Sequence, residues 1–266
     1  MARVLYDRVE EARAFLDGMG LGSIDATLVL DPELDPVLAF DEPWSVRFGE
    51  VPGFPRSERL ESTRVECGNA GRVRVLVIRG RAFGYEGIAL AEATIPIRVA
   101  RALGAKGIVL AGAAEALDES WAAGDIVFST DQLNWMGDNP LIGPHDERLG
   151  VRFPDMSRAY DPALVHSAEK AAQAHDPIRT RRGIYAGVAG PQRPTAAEKS
   201  LLRSCGADLA GMSAVPETIV AVHSGLEVLG ISIIDEPRAG SWPGIARLAA
   251  PRIDRIVRGV LQGMKK

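Results

Sequence analysis

Charged side chains follow the ends of several apolar runs in this chain of 266 residues. Arg81 follows the run 73–78, and a guanidinium group suits bidentate contact with an oxyanion. The acids Asp235 and Glu236 follow the run 228–234. One of two neighbouring carboxyl groups can keep a proton near neutral pH and donate it to a leaving group. A solvated acidic turn before Pro237 is the alternative interpretation of this pair.

The spacing of apolar residues predicts the elements that position these side chains. Residues 73–78 predict a strand, apolar positions recur at helical spacing over residues 90–103, and residues 107–111 predict a second strand. Strand, helix and strand in succession indicate a βαβ unit with parallel strands. Ligands of open α/β sheets usually bind at the edge where the carboxyl ends of such strands meet.

The rest of the chain alternates helices and strands in the same way. Thr195, followed three residues later by Glu198, predicts a capping box at the start of a helix. Asp161 and Pro162 have the residue types of an N-cap and a first helical position. The pattern predicts helices over residues 9–19, 161–175 and 252–264, a helix from Ala196, and strands over residues 26–30, 182–189 and 228–234.

Composition narrows the class of protein. The net charge of −4 offers no cationic surface for nucleic acid or an anionic membrane, so the expected partners are small molecules or further subunits. No run reaches the length of a membrane span, and the charged N-terminal stretch does not fit a signal peptide. Cys67 and Cys205 fit buried thiols in a reducing compartment. We expect a cytoplasmic protein with a single domain over residues 1–266.

Four segments of the chain carry a family resemblance, in the same order as in that family. Residues 80–87, GRAFGYEG, resemble the signature G-R-x-H-x-Y-E-G of the trimeric purine nucleoside phosphorylases and methylthioadenosine phosphorylases. The other three segments are residues 139–164, 185–198 and 206–221. The resemblance implies an α/β fold of the phosphorylase/hydrolase-like kind, in which three layers place a mixed central sheet between helices. It also implies a homotrimer that uses phosphate as co-substrate and needs no metal or organic cofactor.

The implied activity is that of a pentosyltransferase, in which phosphate displaces a purine from a nucleoside and ribose 1-phosphate forms. By resemblance, the phosphate-binding residues are Arg81, Ala113 and Ser213. The sugar-binding residues are Tyr85, Met212 and Phe153, of which Phe153 reaches the neighbouring subunit. Arg193, Asp235 and Glu236 fall at base-binding positions, and Asp235 or Glu236 is the candidate acid for the departing base. Phe153 as an ordinary buried aromatic and Tyr85 as a packing residue remain alternatives.

Several ligand positions depart from the family pattern. The first-strand loop has Asp31, Pro32 and Glu33 where the family has a glycine-rich turn with a phosphate-binding serine. Carboxylates near a phosphate oppose its binding by ~3 kcal/mol per charge pair at ~6 Å and an effective dielectric constant near 20. Arg81 could then pair with Asp31 or Glu33. Further departures are Phe83 for a histidine, Gly112-Ala113-Ala114-Glu115-Ala116 for N-A-A-G-G, Arg193 and Pro194 for an aromatic residue and a glutamate, and Gly244 for a histidine.

Three functions therefore stay open at the level of sequence. The first is a purine nucleoside phosphorylase with altered base specificity. The second is a nucleoside hydrolase on the same fold, in which Glu33 or Asp31 activates water. The third is a catalytically silent relative that binds another small molecule or a protein partner.

Overall fold

The computed structural model describes residues 5–61, 63–174, 178–235 and 241–264. Most of these residues lie in strands and helices that alternate along the chain. The strands are β1 (Ala26–Leu30), β2 (Trp44–Arg47), β3 (Arg64–Ala70), β4 (Val73–Arg79), β5 (Gly107–Ala116), β6 (Ile126–Trp135), β7 (Thr180–Val188), β8 (Leu209–Gly211) and β9 (Glu227–Ile234). The helices are α1 (Leu5–Gly18), α2 (Glu58–Glu61), α3 (Leu90–Ala93), α4 (Ile95–Ala102), α5 (Pro162–Gln173), α6 (Ala196–Ser204), α7 (Val215–His223) and α8 (Trp242–Gly263).

The nine strands form one mixed sheet in the order β2-β3-β4-β1-β5-β8-β7-β6-β9. β1 lies between β4 and β5 and is parallel to both. The strands β4 and β5 of the predicted βαβ unit are therefore parallel, but they pair with β1 and not with each other. Leu30, the last residue of β1, lies opposite Arg79 and Ala111. β9 pairs with both β5 and β6, so β5, β8, β7, β6 and β9 close into a ring. The loops after β1, β4 and β9 consequently meet at one edge.

Helices cover both faces of the sheet, which confirms the predicted α/β fold with a mixed central sheet between helices. One apolar core packs α1, α4 and α7 against the sheet, and a second packs α5 and α8 against the opposite face. All five residues of β1 are buried, as expected of a parallel strand covered on both faces. Leu28 and Leu30 belong to one core and Val29 to the other, in keeping with the alternation of side chains along a strand.

Two predicted helices differ from the observed ones. The helix expected over residues 90–103 is broken at Thr94, whose hydroxyl donates to the Leu90 carbonyl at 2.8 Å, and Pro96 lies in the first turn of α4. Helix α8 begins at Trp242 instead of Arg252 and continues through Pro251. An apolar face of α8 is buried on both sides of Pro251, from Ile245 to Leu261, and this burial outweighs the helix-breaking tendency of proline. The end of the helix predicted over 161–175 lies outside the described residues, with α5 ending at Gln173.

The capping residues of two other helices are as predicted. The Thr195 hydroxyl accepts from the Glu198 amide and the Glu198 carboxylate accepts from the Thr195 amide, which completes the capping box of α6. The Asp161 carboxylate caps α5 by accepting from the amides of Ala163 and Leu164. Each of these capping interactions joins residues within four positions of one another, which is why local sequence was sufficient to predict them.

The two cysteines are free thiols, of which Cys67 is buried and Cys205 is exposed. The prediction that both are buried was therefore wrong for Cys205, which caps the carboxyl end of α6 at the surface. Among the described helices, none is long and apolar enough to cross a membrane. The described residues contain no cluster of three or more His, Cys, Asp or Glu side chains that could hold a metal ion.

Candidate functional site

A cavity of about 280 Å³ lies at the edge where β1, β5, β8 and β9 end. Its lining comes from the ends of β5, β7 and β8, from the segments that follow β1, β4, β7, β8 and β9, and from α2 and the start of α8. The lining residues are Asp31, Pro32, Glu33, Arg59, Phe83, Tyr85, Ala113, Ala114, Glu115, Val188, Arg193, Pro194, Ala210, Gly211, Met212, Ser213, Asp235 and Trp242. The sheet thus brings residues that are up to 211 positions apart in sequence, Asp31 and Trp242, to one site.

Asp31 makes the most constrained contacts at one end of the cavity. Its Oδ2 accepts from the Ala113 amide at 2.8 Å, and its Oδ1 lies 3.1 Å from Arg81 Nε. The approach to the β5 backbone is so close that a Cβ on Gly112 would lie 2.6 Å from Asp31 Oδ2. The carboxylate therefore occupies the groups that would otherwise be free to hold an oxyanion, namely a backbone N–H and a guanidinium.

Arg81 is buried behind the Asp31 carboxylate, with its side chain 2% exposed, and it also contacts the carboxylate of Glu217. Its Nη1 lies 3.3 Å from Glu217 Oε2, and its Nη2 donates to the carbonyls of Val29 and Ala111. Burial raises the pKa of Asp31 and of Glu217, although Arg81 opposes the rise for each. Two buried carboxyl groups thus face one guanidinium, and this balance favours a proton on the cluster.

An aromatic wall continues from Arg81 along the loop after β4. The rings of Phe83 and Tyr85 stack with centroids 4.8 Å apart, and the Arg59 guanidinium lies 4.9 Å from the centre of the Phe83 ring. Arg59 also pairs with Glu86 at 3.3 Å, and Glu86 accepts from the Phe83 amide at 2.9 Å. These contacts hold Tyr85 at the cavity with 40% of its surface exposed, where it can cover part of a ligand.

Met212 and Ser213 line the cavity from the segment between β8 and α7. The backbone turns sharply here, since Ala214 has a φ of 66°. Glu217 accepts from the Ala214 amide at 2.9 Å, and Ala214 occupies the N-cap position of α7. Met212 packs tightly on Gly190, where a Cβ would lie 2.4 Å from the thioether sulfur. This close packing fixes the position of Met212 in the cavity lining.

Two further ion pairs involve residues that line the cavity. Arg193 contacts the carboxylate of Asp235, and Lys199 of α6 contacts that of Glu115. Nearer to Asp31, the indole N–H of Trp242 donates to Glu33 Oε2 at 3.1 Å. The cavity lining thus combines charged donors and acceptors with apolar and aromatic side chains.

Most of the predicted site residues are brought together. Glu33, Tyr85, Ala113, Arg193, Met212, Ser213 and Asp235 all line the cavity, and Arg81 lies directly behind Asp31. Phe153 lies elsewhere, beside Ile142 and Pro154 in a separate surface depression, and is 87% exposed. The alternative in which Phe153 is a buried aromatic was therefore wrong. Glu236 lies outside the described residues.

Five residues at or beside this cavity had no assigned role from sequence: Arg59, Glu115, Lys199, Glu217 and Trp242. Arg59 falls in the segment where the resembled family has a histidine, and Glu115 replaces a glycine, so both departures were visible as unusual residue types. Glu217 and Lys199 gave no such signal, because their partners Arg81 and Glu115 lie 136 and 84 positions away.

Comparison with known proteins gives consistent matches. The family model described as the phosphorylase superfamily matches residues 27–262. The purine nucleoside phosphorylase 1 of Bacillus subtilis is 40% identical over 239 residues, covering 89% of this chain and 88% of that protein. The purine nucleoside phosphorylase of Rattus norvegicus is 39% identical over 226 residues, covering 83% of this chain and 74% of that protein.

A solved structure shows the same fold. The crystal structure of isoform 2 of purine nucleoside phosphorylase from Schistosoma mansoni, in complex with cytosine and ribose-1-phosphate, superposes with a TM-score of 0.91. It is 26% identical in sequence, and the alignment covers 100% of this chain and 99% of that one.

Proposed function

Because this chain belongs to the phosphorylase superfamily, we propose that it is a pentosyltransferase that cleaves the N-glycosidic bond of purine nucleosides with phosphate. The products are the free base and ribose 1-phosphate. The observation that carries the proposal is the convergence of Tyr85, Ala113, Met212 and Ser213, from three separate segments of the chain, on one cavity at the carboxyl edge of the sheet. The relatives named purine nucleoside phosphorylase support it.

Phosphate is proposed to bind at the end formed by Arg81, the Ala113 amide and Ser213. The guanidinium and the amide presently contact Asp31. For phosphate to use them, the Asp31 carboxylate must withdraw or take up a proton. Burial raises the pKa of Asp31, which makes proton uptake the less costly route. A phosphate oxygen would then attack C1′ of the ribose as the bond to the base breaks.

The sugar is proposed to lie between Tyr85 and Met212, in the middle of the cavity. Phe153 is proposed to complete this part of the site in a neighbouring subunit of a homotrimer. Its support is that a phenylalanine ring 87% exposed to solvent, with Val151 and Ile142 also exposed nearby, forms an apolar surface of the kind found at subunit contacts. The site would then be complete only in the assembled protein.

The base is proposed to bind beside Arg193 and Asp235. Negative charge develops on the purine as the glycosidic bond breaks, and the Arg193 guanidinium is placed to stabilise that charge. A proton donated by Asp235 or Glu236 would serve the same end. Phosphate as the second substrate, the absence of a further cofactor and a cytoplasmic location remain parts of the proposal.

The test measures base release from inosine, guanosine, adenosine and methylthioadenosine by the pure protein, with phosphate and with phosphate rigorously removed. We expect release that requires phosphate, together with formation of the pentose 1-phosphate. Equal release without phosphate would contradict phosphorolysis and identify a hydrolase. No release from any of the four would indicate a catalytically silent relative.

Hydrolysis is the second candidate, and the position of Asp31 favours it. A carboxylate already bound to the oxyanion-holding groups competes with phosphate, yet it can accept a proton from a water molecule. Glu33 lines the same cavity and is oriented by Trp242. In this reaction, water activated by Glu33 or Asp31 adds its oxygen to C1′, and the base departs with a proton.

A further inference from the structure

Glu115 is a cavity residue whose hydrogen bonding is incomplete. It lies at the end of β5, opposite Ala210 of β8, and is 8% exposed. Lys199 donates to its Oε1, but its Oε2 is buried and has no hydrogen-bond partner among the residues that the structure describes. The carboxylate thus uses one oxygen for a fixed ion pair and leaves the other without a donor.

An unpaired carboxylate oxygen in a buried position is unfavourable because its hydration is lost and nothing replaces it. Lys199 offsets the charge of Glu115 but cannot satisfy the second oxygen at the same time in this geometry. Since Glu115 lines the cavity, a bound molecule can supply the missing N–H or O–H donor. Folding alone gives no compensation for this unpaired oxygen, whereas a bound ligand that donates to it does.

Neighbouring groups show which part of a ligand would supply the donor. β5 and β9 pair in parallel with Ala114 opposite Ile234, and the Asp235 amide donates to the Ala114 carbonyl at 2.8 Å. Glu115 therefore directly follows the β5 residue that bonds Asp235, the partner of Arg193. Asp31 approaches β5 from β1, on the side of β5 opposite β9. The groups suited to an oxyanion thus lie on the β1 side of β5, and the cavity also holds an acceptor, Glu115, and a donor, Arg193.

We propose that Glu115 selects the purine, with Oε2 accepting an N–H from the Watson–Crick edge of the base while Lys199 fixes the other carboxylate oxygen. This inference rests on the proposed function, because it assumes that a purine enters the cavity. Two purine bases offer an N–H donor at that edge, hypoxanthine at N1 and adenine at its 6-amino group. A base without such a donor would leave the buried oxygen unpaired.

The test is equilibrium binding of free bases, measured by calorimetry without phosphate and without turnover. The ligands are hypoxanthine and adenine, compared with 1-methylhypoxanthine and unsubstituted purine, which lack the respective donors. The variants are Glu115→Gln and, as a matched control, Glu119→Gln, the same change at a side chain 94% exposed outside the cavity. Glutamine keeps the shape of Glu115, but it must present its NH₂ group either to Lys199 or to the base, where a donor meets a donor.

We expect the native protein to bind hypoxanthine or adenine roughly ten- to hundredfold more tightly than the analogue without the donor. Glu115→Gln should remove this preference, and Glu119→Gln should retain it. Unchanged preference in Glu115→Gln, equal binding of donor and donor-free bases by the native protein, or no binding of any base would each overturn the proposal. The comparison of donor and donor-free bases in the native protein tests the proposal even if Glu115→Gln fails to fold. Selective binding together with no phosphate-dependent base release would leave this inference standing and refute phosphorolysis.

Discussion

Asp31 Oδ1 lies 3.1 Å from Arg81 Nε, in a contact buried from solvent on both sides. The two atoms are close enough for an ion pair, yet neither makes an aligned hydrogen bond within the described part of the chain. Arg81 also pairs with Glu217, so one guanidinium faces two carboxyl groups. The cluster has the elements of an oxyanion site, with a carboxylate of the chain itself in the position of the oxyanion.

Replacing Asp31 with asparagine removes a negative charge from this position with little change in shape. A carboxylate ~5 Å from a phosphate charge opposes binding by up to ~3 kcal/mol at an effective dielectric constant near 20. We expect Asp31→Asn to lower the KM for phosphate by roughly ten- to hundredfold. Initial rates of phosphorolysis at varied phosphate concentration measure this effect.

Asp35→Asn is the control for this experiment. Asp35 belongs to the same loop and pairs with Arg79, but its side chain is 63% exposed and does not line the cavity. It should leave the KM for phosphate within about twofold of the native value. If both variants behave alike, or if Asp31→Asn raises the KM, the carboxylate does not compete with phosphate.

Replacing Glu33 with glutamine separates phosphorolysis from hydrolysis. If Glu33 is the general base for water, base release without phosphate should fall by about a hundredfold or more, the usual contribution of such a group. Phosphorolysis should survive or improve, because a negative charge near the phosphate is removed. Trp242→Phe, which loses the N–H that orients Glu33, should reduce hydrolysis by a smaller factor. Undiminished hydrolysis in Glu33→Gln would exclude Glu33 as the base.

Phe153 tests whether a neighbouring subunit contributes to the site. Because the ring is 87% exposed and lies away from the cavity of its own chain, Phe153→Ala should not change the free energy of unfolding by more than about 0.5 kcal/mol in a monomer. We expect it to raise the KM for the nucleoside about tenfold or more if the ring covers a neighbour's sugar. Leu248→Ala, another exposed apolar residue, serves as the control. Equal KM values in the native and Phe153→Ala proteins would place Phe153 outside the site.

His223 predicts a pH dependence of stability away from the cavity. Arg98 Nη1 lies 3.1 Å from His223 Nδ1, and an arginine can only donate, so this nitrogen must be unprotonated. Burial, together with the nearby charges of Arg98 and His145, lowers the pKa of His223 from an ordinary value near 6.5 to about 4. Since the folded-state pKa is the lower one, the stabilisation is complete above about pH 6.5 and is lost as the pH falls toward 4.

Denaturant unfolding at pH 7.5 and at pH 5 measures this dependence. We expect a lower free energy of unfolding at pH 5 in the native protein, and a smaller loss in His223→Gln, whose amide oxygen can still accept from Arg98. Carboxyl groups that titrate in the same range affect both proteins equally, so the difference between them isolates the imidazole. An identical pH dependence in the two proteins would show that His223 is not responsible.

The parts of the site that follow from local rules were predictable from the sequence. Apolar runs predicted β1, β4, β5, β7 and β9 among the nine strands of the sheet. The parallel pairing of β1 with β4 and β5, and of β5 with β9, places the residues after β1, β4 and β9 at one edge. Arg81 was expected to pair with Asp31 or Glu33, and Asp31 is its partner. Glu33 instead accepts from Trp242, 209 positions away.

The rest of the site depends on contacts that no local pattern encodes. Glu217 is a helix residue whose spacing indicates only capping, yet its carboxylate reaches Arg81. The contact between Glu115 and Lys199 depends on how β5 and α6 pack, which the sequence of neither element fixes. For α8, Pro251 interrupted the helical pattern, and only the buried apolar surface on both sides of it explains the longer helix.

The close approach of Asp31 to Gly112 constrains the order in which this site can change by mutation. In the resembled family, a glycine stands at the position of Asp31 and an asparagine at that of Gly112, so the side chain and the space for it have exchanged places. A Cβ at position 112 would lie 2.6 Å from Asp31 Oδ2, so a side chain there requires the Asp31 carboxylate to shift or to be removed. The effect of a substitution at position 112 should therefore depend on the residue at position 31, and libraries that vary both positions together should retain more active proteins than libraries that vary position 112 alone.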